Sequence, residues 1–231
     1  NDLKRALVTR LIGMADDELI LAHRDAEWTG HAPLLEEDIA LANLAQDELG
    51  HATTLLGLVS DLNSQTPDQM AYFRDAAEFQ NVQLVEMPKG DWAYTMLRQY
   101  LFDAYEHVLY EALLTSTYQP LADVVAKFRG EEIYHLRHSH MWVERLGLGT
   151  NESLARMQMA LDQIWPMTAQ LFQATADDYL LQDAGYFPLP SDLEDPWLNI
   201  VVPHLSNCSL SAPTHATMLL EIGRASCRER V

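Results

Sequence analysis

The chain has 231 residues, a formal net charge of −19 at pH 7 and 48% hydrophobic residues. A chain of this length and composition can bury a substantial core without help from disulfides or metals, so we expect a globular protein. The acidic charge argues against nucleic acid and anionic membranes as partners, because both require positively charged protein surfaces. No run of about 18 apolar residues is present, which argues against a membrane-spanning helix.

The last ten residues, 222–231, resemble a translated DNA-sequencing adapter, and we treat them as a non-native tail. This tail contains three arginines and one glutamate, so its removal changes the net charge from −19 to −21. One cysteine, Cys208, then remains, which predicts no intrachain disulfide and agrees with a reducing compartment. The first residues lack the apolar core of a signal peptide, so we expect a cytoplasmic protein.

Apolar side chains recur at helical spacing over residues 3–26 and again over residues 34–62. A break that contains glycine and proline separates the two segments, which predicts two helices joined by a short connection. Glu18 lies on the apolar stripe of the first segment, and Glu48 and His51 lie on that of the second. We therefore expect these three polar side chains to face the core.

A second pair of helices is predicted over residues 91–117 and 119–146. Its first helix carries Glu106 on the apolar stripe, and its second helix carries Glu132 and His135. The second helix stops at a Gly-Leu-Gly sequence, a typical end signal. The arrangement repeats that of the first pair, with one glutamate followed by a glutamate and a histidine.

A long connection, residues 63–90, separates the two pairs and contains a predicted short helix near residues 68–76. One long crossover between two helix pairs is the connectivity of ferritin-like four-helix bundles. We therefore predict an all-α fold in which one ferritin-like domain covers residues 1–221. Its core bundle is expected at about residues 3–146.

The C-terminal third is expected to add to this bundle. Residues 151–182 predict a further helix, with a kink at Trp165-Pro166 because proline lacks the backbone N–H of a helix interior. Residues 185–221 are rich in proline and lack a clear apolar period, so we predict an irregular segment. A last short helix is expected from about Thr214.

Two Glu-x-x-His sequences, residues 48–51 and 132–135, are the strongest chemical signal in the chain. Residues three apart on a helix share a face, so the glutamate and histidine of each sequence can bind one metal ion together. Carboxylates can bridge two cations, and imidazole nitrogen suits iron. The predicted cofactor is a pair of iron or manganese ions. The predicted metal ligands are Glu18, Glu48, His51, Glu106, Glu132 and His135.

Asp47 and Glu131 directly precede the two glutamates of these sequences. An acid at this place often accepts a hydrogen bond from a ligand histidine, so we predict a supporting role for both. Asp103 is predicted to support the site as well. Because Asp103 and His107 lie close to Glu106 on the same helix, each is an alternative to Glu106 as a ligand.

Six short stretches of the chain closely resemble the PaaC-type subunit of bacterial 1,2-phenylacetyl-CoA epoxidase. The resemblance spans about residues 10–180 in a consistent order. Its motifs are residues 27–33 (EWTGHAP) with 38–43 (DIALAN), residues 98–100 (RQY) with 103–104 (DA), residues 134–137 (YHLR), and residues 144–147 (ERLG).

The resemblance implies a ferritin-like subunit of a multicomponent monooxygenase. Such a complex activates dioxygen at a di-iron centre and epoxidises the aromatic ring of phenylacetyl-CoA. Its electrons come from NADPH through a separate reductase subunit. In this family the PaaA-type subunit holds the catalytic metals and the PaaC type is its structural partner. The resemblance therefore implies a hetero-oligomer with a PaaA-type subunit, in which a partner subunit supplies the binding site for the anionic acyl-CoA.

The chain departs from this family pattern at the metal ligands. Familiar PaaC-type chains have apolar or amide residues at several of these positions, whereas all six acids and histidines are present here. Our first hypothesis is that the chain is a subunit of the epoxidase with an intact metal site. Beyond the metal ligands, the sequence assigns no catalytic residue. The alternatives are a non-catalytic structural partner of the PaaA-type subunit, or an iron oxidase of the ferritin or rubrerythrin kind.

Overall fold

The computed structural model describes residues 2–213, which form nine α-helices and no β-strand. Three short 3₁₀ helices connect some of them, at Ala76–Glu78, Trp165–Phe172 and Pro190–Leu193. The α-helices are α1 Asp2–Ala26, α2 Leu35–Leu62, α3 Pro67–Tyr72, α4 Gln83–Glu86, α5 Trp92–Leu113, α6 Gln119–Gly147, α7 Asn151–Ile164, α8 Ala176–Asp183 and α9 Glu194–Asn207.

The four long helices α1, α2, α5 and α6 form a bundle, which confirms the predicted all-α ferritin-like fold. Helix α1 packs along α2, α5 packs along α6, and α2 also contacts α6. The apolar stripes of these helices meet in a large core that includes Leu11, Leu55 and Tyr100, and in a smaller cluster that includes Leu41 and Trp142. Within residues 2–213 no helix has the length and apolar content needed to cross a membrane.

Two acids of α1 hold the long crossover between the helix pairs. Asp16 accepts hydrogen bonds from the guanidinium of Arg74 and from the backbone N–H of Gln80, at 2.9 Å each. Asp17 accepts a hydrogen bond from the backbone N–H of Val82 at 2.7 Å. These contacts satisfy backbone donors of an otherwise irregular segment, and they fix the crossover against α1.

The prediction of one kinked helix over residues 151–182 is wrong in detail. Helix α7 ends at Ile164, the chain continues as the 3₁₀ helix Trp165–Phe172, and α8 is a separate element. Pro166 lies in the first turn of the 3₁₀ helix, where its missing N–H leaves no backbone acceptor unsatisfied.

The C-terminal segment is more regular than its proline content suggests. Helix α9 forms where the sequence predicted irregular structure, and it contains Pro203 in its interior. Trp197, Val201 and Leu205 of this helix are fully buried against the bundle, so tertiary packing outweighs the cost of the proline. Cys208, directly after α9, is buried and forms no disulfide. The short helix expected from Thr214 and the tail 222–231 lie outside the described residues.

Candidate metal centre

The six predicted ligands come from the four bundle helices and meet in the bundle interior. Helix α1 supplies Glu18, α2 supplies Glu48 and His51, α5 supplies Glu106, and α6 supplies Glu132 and His135. Every one of these side chains is at most 3% exposed. Ordinary globular interiors do not contain four carboxylates together, because each charge must be compensated.

Four of the six residues form the tightest group. One ligand atom each from Glu18, Glu48, His51 and Glu132 can be chosen so that all four atoms lie within 4.8 Å of one another. His135 adjoins this group, with its Nδ1 3.5 Å from Glu48 Oε1 and 3.6 Å from Glu132 Oε1. Glu132 therefore lies between the two histidines.

Both histidines turn Nδ1 towards the cluster interior. His51 Nδ1 lies 3.3 Å from Glu18 Oε2 and 3.2 Å from Glu132 Oε1. The ring of His51 also stacks on Phe128, with ring centroids 3.9 Å apart. The stack fixes the plane of the imidazole and keeps Nδ1 directed at the carboxylates.

The outward nitrogen of each histidine donates to an acid of the opposite helix. His51 Nε2 on α2 donates to Glu131 Oε2 on α6 at 2.7 Å, and His135 Nε2 on α6 lies 3.3 Å from Asp47 Oδ2 on α2. The predicted supporting acids are thus in contact with the histidines, and each belongs to the other Glu-x-x-His motif. Because Nε2 donates outward, Nδ1 faces the cluster, and after loss of its proton it would offer the lone pair that a metal ligand requires.

The sequence left Glu106 and Asp103 as alternative metal ligands. They differ in whether a carboxylate oxygen is free of hydrogen bonds. Asp103 is buried but engaged, because it accepts hydrogen bonds from Gln99 at 2.8 Å and from Ser139 at 2.6 Å. Glu106 keeps Oε2 without a hydrogen bond, while its Oε1 lies 3.4 Å from the hydroxyl of Tyr110. His107 is partly exposed. The free oxygen makes Glu106 the better ligand candidate, because both oxygens of Asp103 already accept hydrogen bonds. The supporting role of Asp103 stays a prediction.

Each of the six side chains has at least one buried oxygen or nitrogen that makes no hydrogen bond. Leaving such an atom unsatisfied in a protein interior is costly, so a set of this size in one place indicates a missing partner. Cations that accept lone pairs from all of them would supply it. The atoms are Glu18 Oε2, both oxygens of Glu48 and of Glu132, Glu106 Oε2, and Nδ1 of His51 and His135.

The carboxylates carry opposite pKa shifts. Burial opposes ionisation of Glu18, but the neighbouring charge of His51 and hydrogen bonds with Glu48, His51 and Tyr110 together outweigh it and lower the pKa of Glu18 to about 2. Burial and the adjacent Glu18 raise the pKa of Glu48 well above its usual value. Burial and the adjacent Glu132 do the same for the pKa of Glu106. Protons therefore balance part of the charge here, and metal ions would displace them.

The histidine pKa values rise in spite of burial. Burial favours the neutral ring, but the charges of Glu18 and Glu132 and the hydrogen bonds with them together outweigh it and raise the pKa of His51 to about 11. At His135 burial is likewise outweighed, mainly by the hydrogen bond with Asp47, and the pKa rises to about 9. Imidazoles that are protonated without metal are a sign of excess negative charge in the cluster.

Some supporting contacts could not be read from the sequence. Tyr110 donates a short hydrogen bond to Glu18 across the bundle, which joins α5 to α1 at the site. Ser139 and Gln99 lie one helical turn from His135 and Asp103 respectively, and this spacing is the one sequence signal that points to them. None of these contacts changes the predicted ligand set.

Comparison with known proteins agrees with the resemblance seen in the motifs. The chain is 39% identical to the C subunit of 1,2-phenylacetyl-CoA epoxidase from Escherichia coli K12 over 208 residues, which cover 90% of this chain and 84% of that protein. It is 25% identical to the A subunit of the same enzyme over 178 residues, which cover 77% of this chain but only 57% of that relative. A family model described as phenylacetic acid catabolic protein matches residues 1–225. The chain therefore belongs to the phenylacetic acid catabolic protein family.

Proposed function

We propose that the chain is a subunit of an oxygenase complex that epoxidises the aromatic ring of phenylacetyl-CoA, and that its bundle holds two iron ions. The names and degrees of similarity of its relatives support the reaction. The single observation that carries the metal centre is the set of six buried acids and histidines whose unsatisfied atoms face one another.

The geometry suggests a role for each ligand. Glu48 and Glu132 have both oxygens free, as bridging carboxylates require. His51 and His135 would bind through Nδ1, and Glu18 and Glu106 would each supply one carboxylate oxygen. When bound, the iron pair would supply reductive activation of dioxygen, with electrons from NADPH delivered by a separate reductase subunit.

Other side chains would hold the ligands in place and keep the site dry. Tyr110 orients Glu18, Glu131 orients His51, and Phe128 covers the ring of His51. Water is kept from the cluster because all six ligands are buried, so electrostatic interactions inside it are strong.

The same proposal includes a hetero-oligomer with a PaaA-type chain. A coenzyme A ester carries several negative charges, and a chain of net charge −19 is a poor host for it alone. We infer that the partner contributes most of the acyl-CoA site.

A second candidate function is a structural component of the complex without turnover of its own. The higher identity with the C subunit of the epoxidase than with its A subunit favours this role, since the resemblance to the PaaC type implies a structural partner. In that case the acids and histidines would bind metal for stability alone.

Reconstitution of the complex from separately purified subunits tests the proposal and separates the two candidates. Phenylacetyl-CoA epoxidation is measured with wild-type chain, with a Glu132→Gln/His135→Gln variant, and with the exposed control Asp123→Asn on the same helix. Bound iron in this chain and association with the PaaA-type chain are measured in parallel.

We expect the double variant to lose iron and epoxidation while it still associates with its partner. If epoxidation persists after the iron of this chain is lost, the structural role is correct. If the wild-type chain supports no epoxidation and binds no PaaA-type chain, the proposed reaction is wrong.

A further inference from the structure

Exposed apolar side chains concentrate on two neighbouring helices of the bundle. Eight of the fourteen large apolar residues that are exposed within the described part of the chain lie on or directly beside α2 and α6. We call the outer surface of these two neighbouring helices the α2/α6 face. The eight are Leu34, Leu35, Ile39, Leu49, Ile133, Tyr134, Met141 and Leu148.

The α2 side of the α2/α6 face carries little of the negative charge that dominates the molecule. Every exposed residue of α2 from 39 to 54 is uncharged, and Asp47 is the one partly exposed acid in this stretch, although the chain as a whole has a net charge of −19. These exposed residues are Ile39, Asn43, Gln46, Leu49, Gly50, Thr53 and Thr54. On α6 the exposed charges around residues 127–137 are of both signs: Lys127, Arg129, Glu131 and Arg137. An uncharged, partly apolar strip on a strongly acidic protein is typical of a contact surface.

Two glycines lie in the interior of these helices on the same face. Gly50 on α2 and Gly130 on α6 are exposed, and a Cβ atom built at either position meets no atom within 4 Å. Glycine weakens a helix relative to alanine, so no contact within the described chain accounts for its presence there. Small residues at such places let another helix approach closely.

The two glycines adjoin the metal cluster through their chain neighbours. Gly50 precedes His51, and Gly130 precedes Glu131, which accepts the hydrogen bond of His51. The side chain of Glu131 is 50% exposed, and that of Asp47 is 35% exposed. The acids that hold both site histidines are thus open to water at this face, and a protein docked there would cover them.

We propose that the α2/α6 face docks a helical face of the PaaA-type chain, an inference that rests on the proposed function. The area is adequate, because the exposed part of α2 and the adjacent α6 cover roughly 30 Å by 20 Å, or about 600 Å², which is the lower end of the roughly 600–1,000 Å² per partner of a stable interface. Self-association is the poorer occupant, since it would bring together two chains that each carry a charge of −19.

The test uses the full chain purified with a PaaA-type chain, and it measures their dissociation constant by titration calorimetry. The variants are Gly50→Arg, Gly130→Arg and the pair combined. Because the space at both positions is open and arginine favours helix, the variants are expected to fold with an unchanged or raised Tm. The matched control is Ala155→Arg, which adds the same charge at an exposed position of α7.

We expect the combined variant to weaken association by roughly tenfold or more, as bulky side chains do inside a packed interface, and Ala155→Arg to leave it unchanged. Gly50→Ala is expected to raise the Tm of the isolated chain and still weaken association.

If the wild-type chain binds its partner and all these variants bind equally well, the surface assignment is wrong while the proposed function stands. If the isolated wild-type chain dimerises through this face, the choice of partner is wrong. If the wild-type chain binds no PaaA-type chain, the proposed function fails and this surface assignment fails with it.

Discussion

The imidazole of His51 on α2 donates from Nε2 to the carboxylate of Glu131 on α6, 2.7 Å away. The reverse contact, from His135 on α6 to Asp47 on α2, is longer at 3.3 Å. Each Glu-x-x-His motif thus carries, one residue earlier, the acid that orients the histidine of the other motif. The two motifs therefore form one unit, and neither half can be altered without an effect on the other.

We predict that Glu131→Gln weakens iron binding by about 10–100-fold, because a ligand histidine loses basicity and orientation without its acid. Asp47→Asn is expected to have the smaller effect, since its contact is longer. Competition with a chelator of known iron affinity measures both. Asp123→Asn is the control on the exposed side of α6, and equal affinity in Glu131→Gln and this control would disprove the role of Glu131.

Replacement of Glu48 is expected to raise the stability of the metal-free protein and to weaken metal binding. Both of its oxygens are buried without a hydrogen bond, and Glu18 lies beside it. Glu48→Gln removes a potential charge while it keeps the shape of the side chain, so we expect the metal-free protein to gain about 1 kcal/mol, or about 2–4 °C in Tm. Scanning calorimetry of the metal-free protein measures it, and a lowered Tm would show that the carboxylate is well accommodated without a cation.

His204 predicts an acid-dependent loss of stability that is independent of the metal cluster. Its ring stacks on that of His140 with centroids 3.4 Å apart, and burial together with the charge of His140 lowers its pKa to about 4. A lowered folded pKa favours the unfolded chain on protonation, so this contribution is complete above about pH 6.5 and is lost as pH falls towards 4. The raised pKa values of His51 and His135 act in a different window, from about pH 6.5 upwards.

Between pH 7 and pH 5, the Tm of the His204→Gln variant should therefore fall less than the Tm of the wild-type chain. Glutamine has no proton to gain in this range, and it keeps a polar group of similar size next to His140. Thermal unfolding monitored by circular dichroism at both pH values measures the difference. Equal losses in the two proteins would show that the stacked histidines do not determine the acid sensitivity.

The buried ion pair between Arg98 and Asp25 predicts a strong coupling between α5 and α1. Arg98 Nη2 lies 3.3 Å from Asp25 Oδ1, and both side chains are fully buried. Arg98→Met would leave a buried carboxylate unpaired, at an expected cost of about 3–5 kcal/mol. The double variant Arg98→Met/Asp25→Leu should recover much of this loss. Denaturant unfolding of the four proteins gives the coupling, and additive effects would mean that the pair does not interact.

Much of the bundle could be predicted because its sequence signals are local. The apolar period placed α1, α2 and α6 within a few residues of their observed bounds, although α5 ends at Leu113 rather than near residue 117. The six buried acids and histidines were found for the same reason, since inward position follows from helical phase. Whether they bind metal stays a prediction.

The remainder depends on contacts between distant segments, which a single sequence does not show. Spacing alone cannot tell that Glu131 holds His51 rather than a residue of its own helix. Nor does it reveal that Tyr110 reaches Glu18 across the bundle. Helix α9 was missed because Pro203 is a strong local signal against a helix, whereas its stability comes from Trp197 and other residues buried against the bundle.

The central claim is that this chain itself binds a pair of iron ions through its six buried acids and histidines. The most direct measurement is the iron content of the purified full chain after anaerobic loading with ferrous iron and removal of excess, with the Glu48→Gln/Glu132→Gln variant beside it. We predict about two iron ions per wild-type chain and far fewer in the variant. A wild-type chain that retains no iron, or a variant that retains as much as the wild type, would contradict the claim.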